Sequence, residues 1–515
     1  MRCLVSCFAT TNENKMILND NHCHPLQNKW HVSGQSKSKF VFAWKNQSGK
    51  CAIEFAFYLF QLSLRELRKK LTKRNKMNDT RRAFIKQSAV VTAGIAALPS
   101  IMNAGCASPN EKITVALIGC RGMGFNNLQS FLKNKEVECV ALCDVDQRVL
   151  DKRAEDVEKL TGARPILYND FRQVIDNKDI DAVIIGTPDH WHCLPMVYAS
   201  EVGKHVYVEK PIGTTIEECN VMVAAQKRYG NVVQVGQWQR SHSHWNDAVN
   251  YLHEGNIGRI RSVRSWSNVG WKSSIPVVPD SEAPEGVDYD MWLGPAPKRP
   301  FNKNRFHASF RWYWDYAGGV MTDWGVHLLD FALFGMNQYV PKSIMAVGGK
   351  YAFPDDAMQT PDTMTTVYDF GDFGLVWDHT IGAYGANYGG RGHGVAFVGE
   401  YGTLVVDRSG WEVIPETKST GKKDGYEGVS LQQAQGDGLD LHVKNFLDCI
   451  RTGDKPNCDI EIGAHIARFA HLGNISYRLG RKVNWNPDKQ EFENDDEANQ
   501  LVKANYRSPW TLPKV

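Results

Sequence analysis

From residue 111 onward, apolar residues fall into short unbroken runs, each closed by glycine or a charged residue. Ile113 to Ile118 runs into Gly119, Val137 to Cys143 into Asp144, Ala182 to Ile185 into Gly186, and His205 to Val208 into Glu209; Val232 to Val235 follows. Short, continuously apolar runs are what parallel strands buried on both faces require. Between them the period changes. Phe125 to Leu132 and Thr215 to Tyr229 are helix-like, the second with Val221, Met222, Ala225 and Tyr229 near one stripe. Strand and helix in alternation predict a parallel sheet covered by helices over residues 111–236.

Beyond residue 236 the pattern is different. Val263 to Asn268, Met364 to Phe370 and Phe373 to Thr380 alternate or are β-branched, as half-buried strands are. His442 to Ile450 and Ile462 to Leu479 have helical spacing, and Gly453 and Gly480 stand where helices end. Residues 237–515 are thus expected to form a second domain of mixed α and β structure.

The turn after the first strand reads Gly119-Cys-Arg121-Gly122-Met123-Gly124, and Asp144 lies 25 residues after Gly119. Strand, glycine-rich turn, helix, strand and acid make up a dinucleotide-binding unit. The glycines let backbone approach a pyrophosphate, and the helix N-terminus offers it free N–H groups. A carboxylate at Asp144 accepts hydrogen bonds from ribose hydroxyls and repels a 2′-phosphate, which favours NAD over NADP. Arg121 occupies the second glycine position of G-x-G-x-x-G, with Gly122 beside it to take over the close approach.

The net charge of +3 over 515 residues gives no electrostatic basis for binding nucleic acid. Twelve cysteines form no Cys-x-x-Cys pair, and Cys120, Cys139, Cys143 and Cys193 lie in or beside apolar runs, as buried free thiols do. His190, His192, His242, His244 and His327 include two His-x-His spacings but no accompanying third ligand, so no metal is expected.

Residues 77–110 read as an address. Thr80-Arg-Arg-Ala-Phe-Ile-Lys86 precedes an apolar run, Ser88 to Ile101, that is too short to span a bilayer. The paired arginines followed by Phe84 resemble the twin-arginine (Tat) signal. Export by the Tat machinery to the periplasm is the expectation. Ala104-Gly-Cys106 resembles the end of a lipoprotein box, which makes Cys106 a candidate lipid anchor. Residues 1–76 precede this signal with little periodicity. They are read as a non-native or disordered extension, with translation starting at Met77.

Three further motifs carry a family resemblance. Thr187-Pro188 is followed by His192, Glu209-Lys210-Pro211 closes the fourth run, and Asp323 is followed by His327 four residues on. Together they resemble the glucose–fructose oxidoreductase / inositol dehydrogenase (Gfo/Idh/MocA) family over residues 111–515. The resemblance implies an α/β fold: an N-terminal Rossmann dinucleotide-binding domain, then a C-terminal α+β domain with an open, mostly antiparallel sheet. That sheet often packs in homo-dimers or homo-tetramers. It implies NAD bound by the 119–124 loop, Asp144, Thr187, Pro188, His192, Glu209, Lys210 and Pro211, and a carbohydrate substrate.

If the chain is helical from Met321, Asp323 and His327 lie one turn apart on one face. A histidine oriented by an acid suits removal of a proton from a sugar hydroxyl. The resemblance brings Lys210 to the same spot, where a cation stabilises alkoxide character. Asp330, three residues on, is either a supporting acid or a solvated one. Trp266, Trp271, Trp292, Trp312, Trp314 and Trp324 crowd between the motifs, and Arg311-Trp312-Tyr-Trp314 is a candidate sugar-binding stretch. Gln239 and Arg240, just past the last run, are further substrate candidates. The reading is an NAD-dependent oxidoreductase acting on a sugar, glycoside or polyol hydroxyl. Two alternatives stand beside it: a redox-neutral glycoside-cleaving enzyme that oxidises, eliminates, hydrates and reduces again, and a non-catalytic sugar-binding protein. Free NAD is not expected outside the cytoplasm, so an exported enzyme is expected to hold its cofactor tightly.

Overall fold

The computed structural model describes residues 11–12, 15–16, 112–385, 388–418 and 423–515. The leader expected at 77–110, Cys106 included, lies outside them, as does the rest of the 1–76 extension; Thr11–Asn12 and Lys15–Met16 pair antiparallel. Residues 1–101 and 102–515 are separate units.

The nucleotide half is a six-stranded sheet: β1 (Ile113–Ile118), β2 (Val137–Cys143), β3 (Ile166–Tyr168), β4 (Ala182–Ile185), β5 (His205–Val208) and β6 (Val233–Val235). All its pairings are parallel, in the order β3-β2-β1-β4-β5-β6. The interior strands are buried on both faces, as their unbroken apolar runs require. Helices α1 (Gly122–Leu132), α2 (Gln147–Thr161), α3 (Phe171–Asp176), α4 (Cys193–Glu201) and α5 (Ile216–Tyr229) connect them. Thr215 starts α5 with a reciprocal capping box to Glu218, and Gly230 ends it in the left-handed conformation. Edge strand β3 is three residues long and only partly buried, too short to show a period in sequence.

After α6 (Ser243–His253), the second domain is built on β7 (Ser262–Val269), β8 (Ser343–Gly349), β9 (Thr363–Asp369), β10 (Gly374–Ile381), β11 (His393–Val398), β12 (Gly402–Asp407), β13 (Gly410–Pro415) and β14 (Val429–Gln433). Their order is β8-β9-β10-β7-β11-β12-β13-β14, and only β7 and β10 pair parallel. Helices α7 (Tyr289–Leu293), α8 (Val326–Met336), α9 (Gly438–Thr452) and α10 (Ile460–Leu479) complete it. Buried α8 residues share the sheet's main core, with Phe331 and Leu329 at 0% exposure.

The last two helices return to the nucleotide half. Phe446 of α9 meets Phe131 of α1 and Tyr207 of β5 edge-on, at ring separations of 5.8 and 5.9 Å. Segment 437–452, far along the chain, therefore finishes a core of the first domain. The described cysteines, Cys120, Cys139, Cys143, Cys193, Cys219, Cys449 and Cys458, are buried free thiols.

Candidate active site

The glycine turn is shaped by close backbone approaches. A Cβ on Gly119 would sit 2.6 Å from the Thr187 amide nitrogen, and one on Gly124 would sit 2.2 Å from the Gly119 carbonyl oxygen. These glycines press β1, β4 and α1 together. Gly122 differs: it has φ +41° and nothing within 4 Å of its Cβ position. It opens α1 toward a cleft, where the first N–H groups of a helix have no partner of their own. No acid stands in the first turn of α1 to compete for an anion.

Asp144 Oδ2 accepts from the Cys120 amide at 2.8 Å, and its Oδ1 accepts from the Asp146 amide at 3.0 Å. Burial pushes this carboxyl up, against those two bonds and the charge of Arg121. Open helix end, backbone cradle and strand-end acid together fit the pyrophosphate and ribose of a dinucleotide.

Beyond β4 and β5, buried side chains fix the loops. Asn127 Nδ2 donates to Glu209 Oε1 at 2.8 Å, and burial pushes the Glu209 carboxyl up. His192 Nδ1 lies 2.6 Å from the Pro211 carbonyl oxygen, and its Nε2 lies 2.9 Å from that of Thr187. His192 thereby sits between the two strand-end loops, and its neutral ring donates its single N–H to one of these two carbonyls. Burial pushes it down to about 4, against those bonds.

The second domain supplies the facing wall. Met321–Gly325 is a π-helical turn leading into α8, where the sequence pattern predicts an α-helix from Met321. Lys210 Nζ donates to Asp323 Oδ1 at 2.8 Å and to the Asp323 carbonyl oxygen at 3.1 Å. Arg311 Nε stands 3.4 Å from Asp323 Oδ2. Burial alone would raise the Asp323 carboxyl; Lys210 and Arg311 outweigh it and hold the group well below the usual carboxylate range. Among the described residues no hydrogen bond joins Asp323 to His327, and His327 Nδ1 is buried with no partner. The expected orienting bond is replaced by the contact with Lys210, because the wider turn presents the acid to the fifth strand's end. Burial, then Lys210 and Arg408, hold His327 far below its ordinary value, so the ring is neutral.

One cleft of about 690 Å³ brings together Gly119, Arg121, Gly122, Met123, Asp144, Thr187, Pro188, His192, Glu209, Lys210, Arg311, Asp323 and His327. Gly124 lies beneath the loop, and Pro211 meets it through His192.

The other substrate candidates lie elsewhere. Arg240 is buried against Asp330, its Nη2 2.6 Å from Oδ1, over the Phe334 ring. Asp330 is therefore the counter-ion of a core arginine and not a solvated acid. Gln239 is buried and accepts from Arg408 at 3.3 Å. Trp312 packs in the core below Lys272, and Trp314 packs against Arg478. The aromatic stretch is mostly fold, because Arg311 alone of its polar and aromatic candidates faces the cleft. Local pattern misses Trp238, His307 and Arg408 of the lining. Arg408 sits on the β12–β13 hairpin, which carries no motif.

Two family descriptions match the chain. "Oxidoreductase family, NAD-binding Rossmann fold" covers residues 113–237. "Oxidoreductase family, C-terminal alpha/beta domain" covers residues 262–373 and 432–512. Among curated proteins, a glycosyl hydrolase family 109 protein of Shewanella sp. (strain ANA-3) and an alpha-N-acetylgalactosaminidase of Shewanella oneidensis are each 33% identical over 172 residues. Those alignments span 29% of this chain and 38% of each relative. Among solved structures, aldose-aldose oxidoreductase of Caulobacter crescentus, complexed with glycerol, is 19% identical with a TM-score of 0.54, covering 73% of this chain and 100% of that one. A levoglucosan dehydrogenase complexed with NADH is 21% identical with a TM-score of 0.55, covering 73% and 99%. With both family descriptions matched in order and the glycine cradle, Asp144 and the Glu209–Lys210–Pro211 turn around one cleft, the chain belongs to the Gfo/Idh/MocA family of NAD-dependent oxidoreductases.

Proposed function

We propose that this enzyme oxidises a hydroxyl of a sugar, glycoside or polyol, with Lys210 as the electrostatic catalyst and His327 as the base. The observation that carries the reading is the Lys210–Asp323 contact, at 2.8 Å, beside neutral His327 in the cleft that the glycine turn opens onto. Bound NAD supplies the acceptor for the hydrogen and electron pair that leave the substrate carbon. The Lys210 ammonium lowers the pKa of a nearby hydroxyl and stabilises charge developing on its oxygen. His327, uncharged because it is buried among cations, takes the hydroxyl proton. Asp323, itself contacted by Arg311, keeps Lys210 in place: an isolated ammonium on a flexible stem would otherwise sample several positions.

A second reading is net glycoside cleavage, in which oxidation is followed by elimination, hydration and reduction. It is favoured by the names of the 33%-identical relatives, although the matched region is 38% of their length. Export through Thr80–Lys86 belongs to the same proposal. A cofactor that returns to its starting state needs no external supply, and such a protein keeps NAD through purification. Exposed apolar residues on β8 and β9, Met345, Val347 and Val367, support assembly into a homo-oligomer through the open sheet.

Product analysis separates the readings. Purified enzyme incubated with a glycoside panel yields ketone and NADH in equal amounts if it is a net dehydrogenase. It yields free sugar with no change in NADH if it cleaves. Neither product from any glycoside or polyol, by protein that contains NAD, removes both readings.

A further inference from the structure

Arg408 projects into the cleft from the turn between β12 and β13, on the same wall as His327. Its guanidinium lies against two indoles, 5.0 Å from the Trp238 ring centre and 4.6 Å from that of Trp324. Its hydrogen-bonding capacity lies along the N–H edge. On that edge, Nε and Nη2 reach Gln239 Oε1 at 3.3 Å each, long contacts to a neutral acceptor.

Among the described residues Arg408 has no ion-pair partner. Its neighbour Asp407 is committed elsewhere, with Oδ2 3.0 Å from Arg391 Nε and Oδ1 accepting from the Ser409 amide at 2.7 Å. Asp437, an acid of the same lining, caps α9 through the Leu439 amide at 2.9 Å. Asp323 already holds both Lys210 and Arg311. Arg240, buried in the core, is paired with Asp330. Arg408 is half-buried, Asp323 is the acid that offsets the cost of its burial, and its planar fork matches a carboxylate.

We propose that Arg408 anchors a carboxylate of the substrate, so that the sugar taken here is a uronic acid or its glycoside. The assignment rests on the reading of this cleft as a sugar site. A neutral acetamido or hydroxymethyl group accepts hydrogen bonds from the same edge but brings no charge opposite to that of Arg408. The same charge also helps hold His327 in its neutral form, so Arg408 both selects substrate and tunes the base.

The test is calorimetric binding of methyl glycosides to the NAD-containing protein, without turnover. The carboxylate arm is methyl glucuronoside and methyl galacturonoside. The neutral arms are the matching glucoside and galactoside and methyl N-acetylgalactosaminide. The expected result is tightest binding in the carboxylate arm, weakened about 10- to 100-fold in Arg408→Gln and partly restored in Arg408→Lys, while the neutral arms change less than about 3-fold. Melting of each variant without sugar separates loss of the site from loss of fold. A preference for a neutral sugar, a carboxylate preference that survives Arg408→Gln in folded protein, or no binding in the carboxylate arm overturns the proposal. If neutral glycosides bind and turn over while uronosides do not, this assignment fails and the sugar oxidoreductase reading stands. If no sugar of any arm binds, both fail.

Discussion

Lys210 Nζ meets both the carboxylate and the backbone carbonyl of Asp323, at 2.8 and 3.1 Å, across a sequence separation of 113 residues. The contact joins the end of the fifth parallel strand to the turn that opens α8, so it is at once a domain clamp and the centre of the proposed chemistry. Lys210→Met is expected to lower kcat/KM by about 100- to 10,000-fold, the range for losing a preorganised charge. It also removes one of the cations that depress His327. The base must be uncharged to accept a proton, so activity falls as pH drops through its pKa. The acid limb in Lys210→Met is expected at higher pH than in the parent. Rate profiles between pH 4 and 9 check this, and an unmoved limb would refute the coupling.

Gly124 and Gly122 separate packing from ligand approach. Gly124→Ala puts a methyl 2.2 Å from the Gly119 carbonyl and is expected to cost about 1–3 kcal/mol of stability, in addition to NAD affinity. Gly122→Ala meets no neighbour and is expected to cost about 1 kcal/mol through its positive φ, while weakening NAD binding. Chemical denaturation and NAD titration of the two variants provide the comparison. Equal stability loss in both removes the distinction.

The Arg240–Asp330 pair is a stability element outside the chemistry. Asp330→Leu leaves a buried guanidinium uncompensated and is expected to destabilise by about 3–5 kcal/mol. Pairing it with Arg240→Met is expected to recover much of that loss, because no charge then remains buried. Urea midpoints of the single and double variants measure the recovery.

Acid stability follows from buried neutral histidines. Burial pushes His190, His192, His379, His442 and His471 down to about 4 from 6.5, with hydrogen bonds to backbone carbonyls opposing the shift. His442 shows the bonding. Its Nε2 donates to the Val235 carbonyl oxygen at 2.9 Å while Nδ1 accepts from Ser241 Oγ at 2.7 Å, which fixes one neutral tautomer. In the unfolded chain these rings protonate near 6.5, whereas in the fold they do so only near 4. Stability is therefore full above pH 6.5 and declines as pH falls from 6.5 to 4, by up to about 1.4 kcal/mol per pH unit for each ring. Melting temperature against pH checks the window. A profile flat from pH 7 to 4.5 contradicts it.

The parallel strands are readable because burial on both faces demands unbroken apolar runs, and Ile113–Ile118 is where its run places it. Edge strands β8 and β14 are not, and β14 is mostly exposed, so burial imposes no apolar period on it. Pattern locates Asp323 and His327 as a pair, whereas the hydrogen bond Asp323 makes, to Lys210, joins segments that no local pattern connects. Arg240 looks like a site residue by position and is a core residue by packing.

By itself, the amino-acid order determines the strand and turn pattern of the dinucleotide half. The glycine turn, the strand-end acid and the strand runs are local requirements of backbone approach and burial, and each is met within about 30 residues of chain. It likewise determines which residue types are available at the catalytic end. Tertiary structure alone decides who meets whom there. A π-helical turn presents Asp323 to Lys210, a remote hairpin brings Arg408 against two indoles, and Asp330 is taken into the core by Arg240. These are encounters between segments tens to hundreds of residues apart. They depend on packing and on the cost of leaving buried charge unpaired, neither of which is written in any short stretch of sequence.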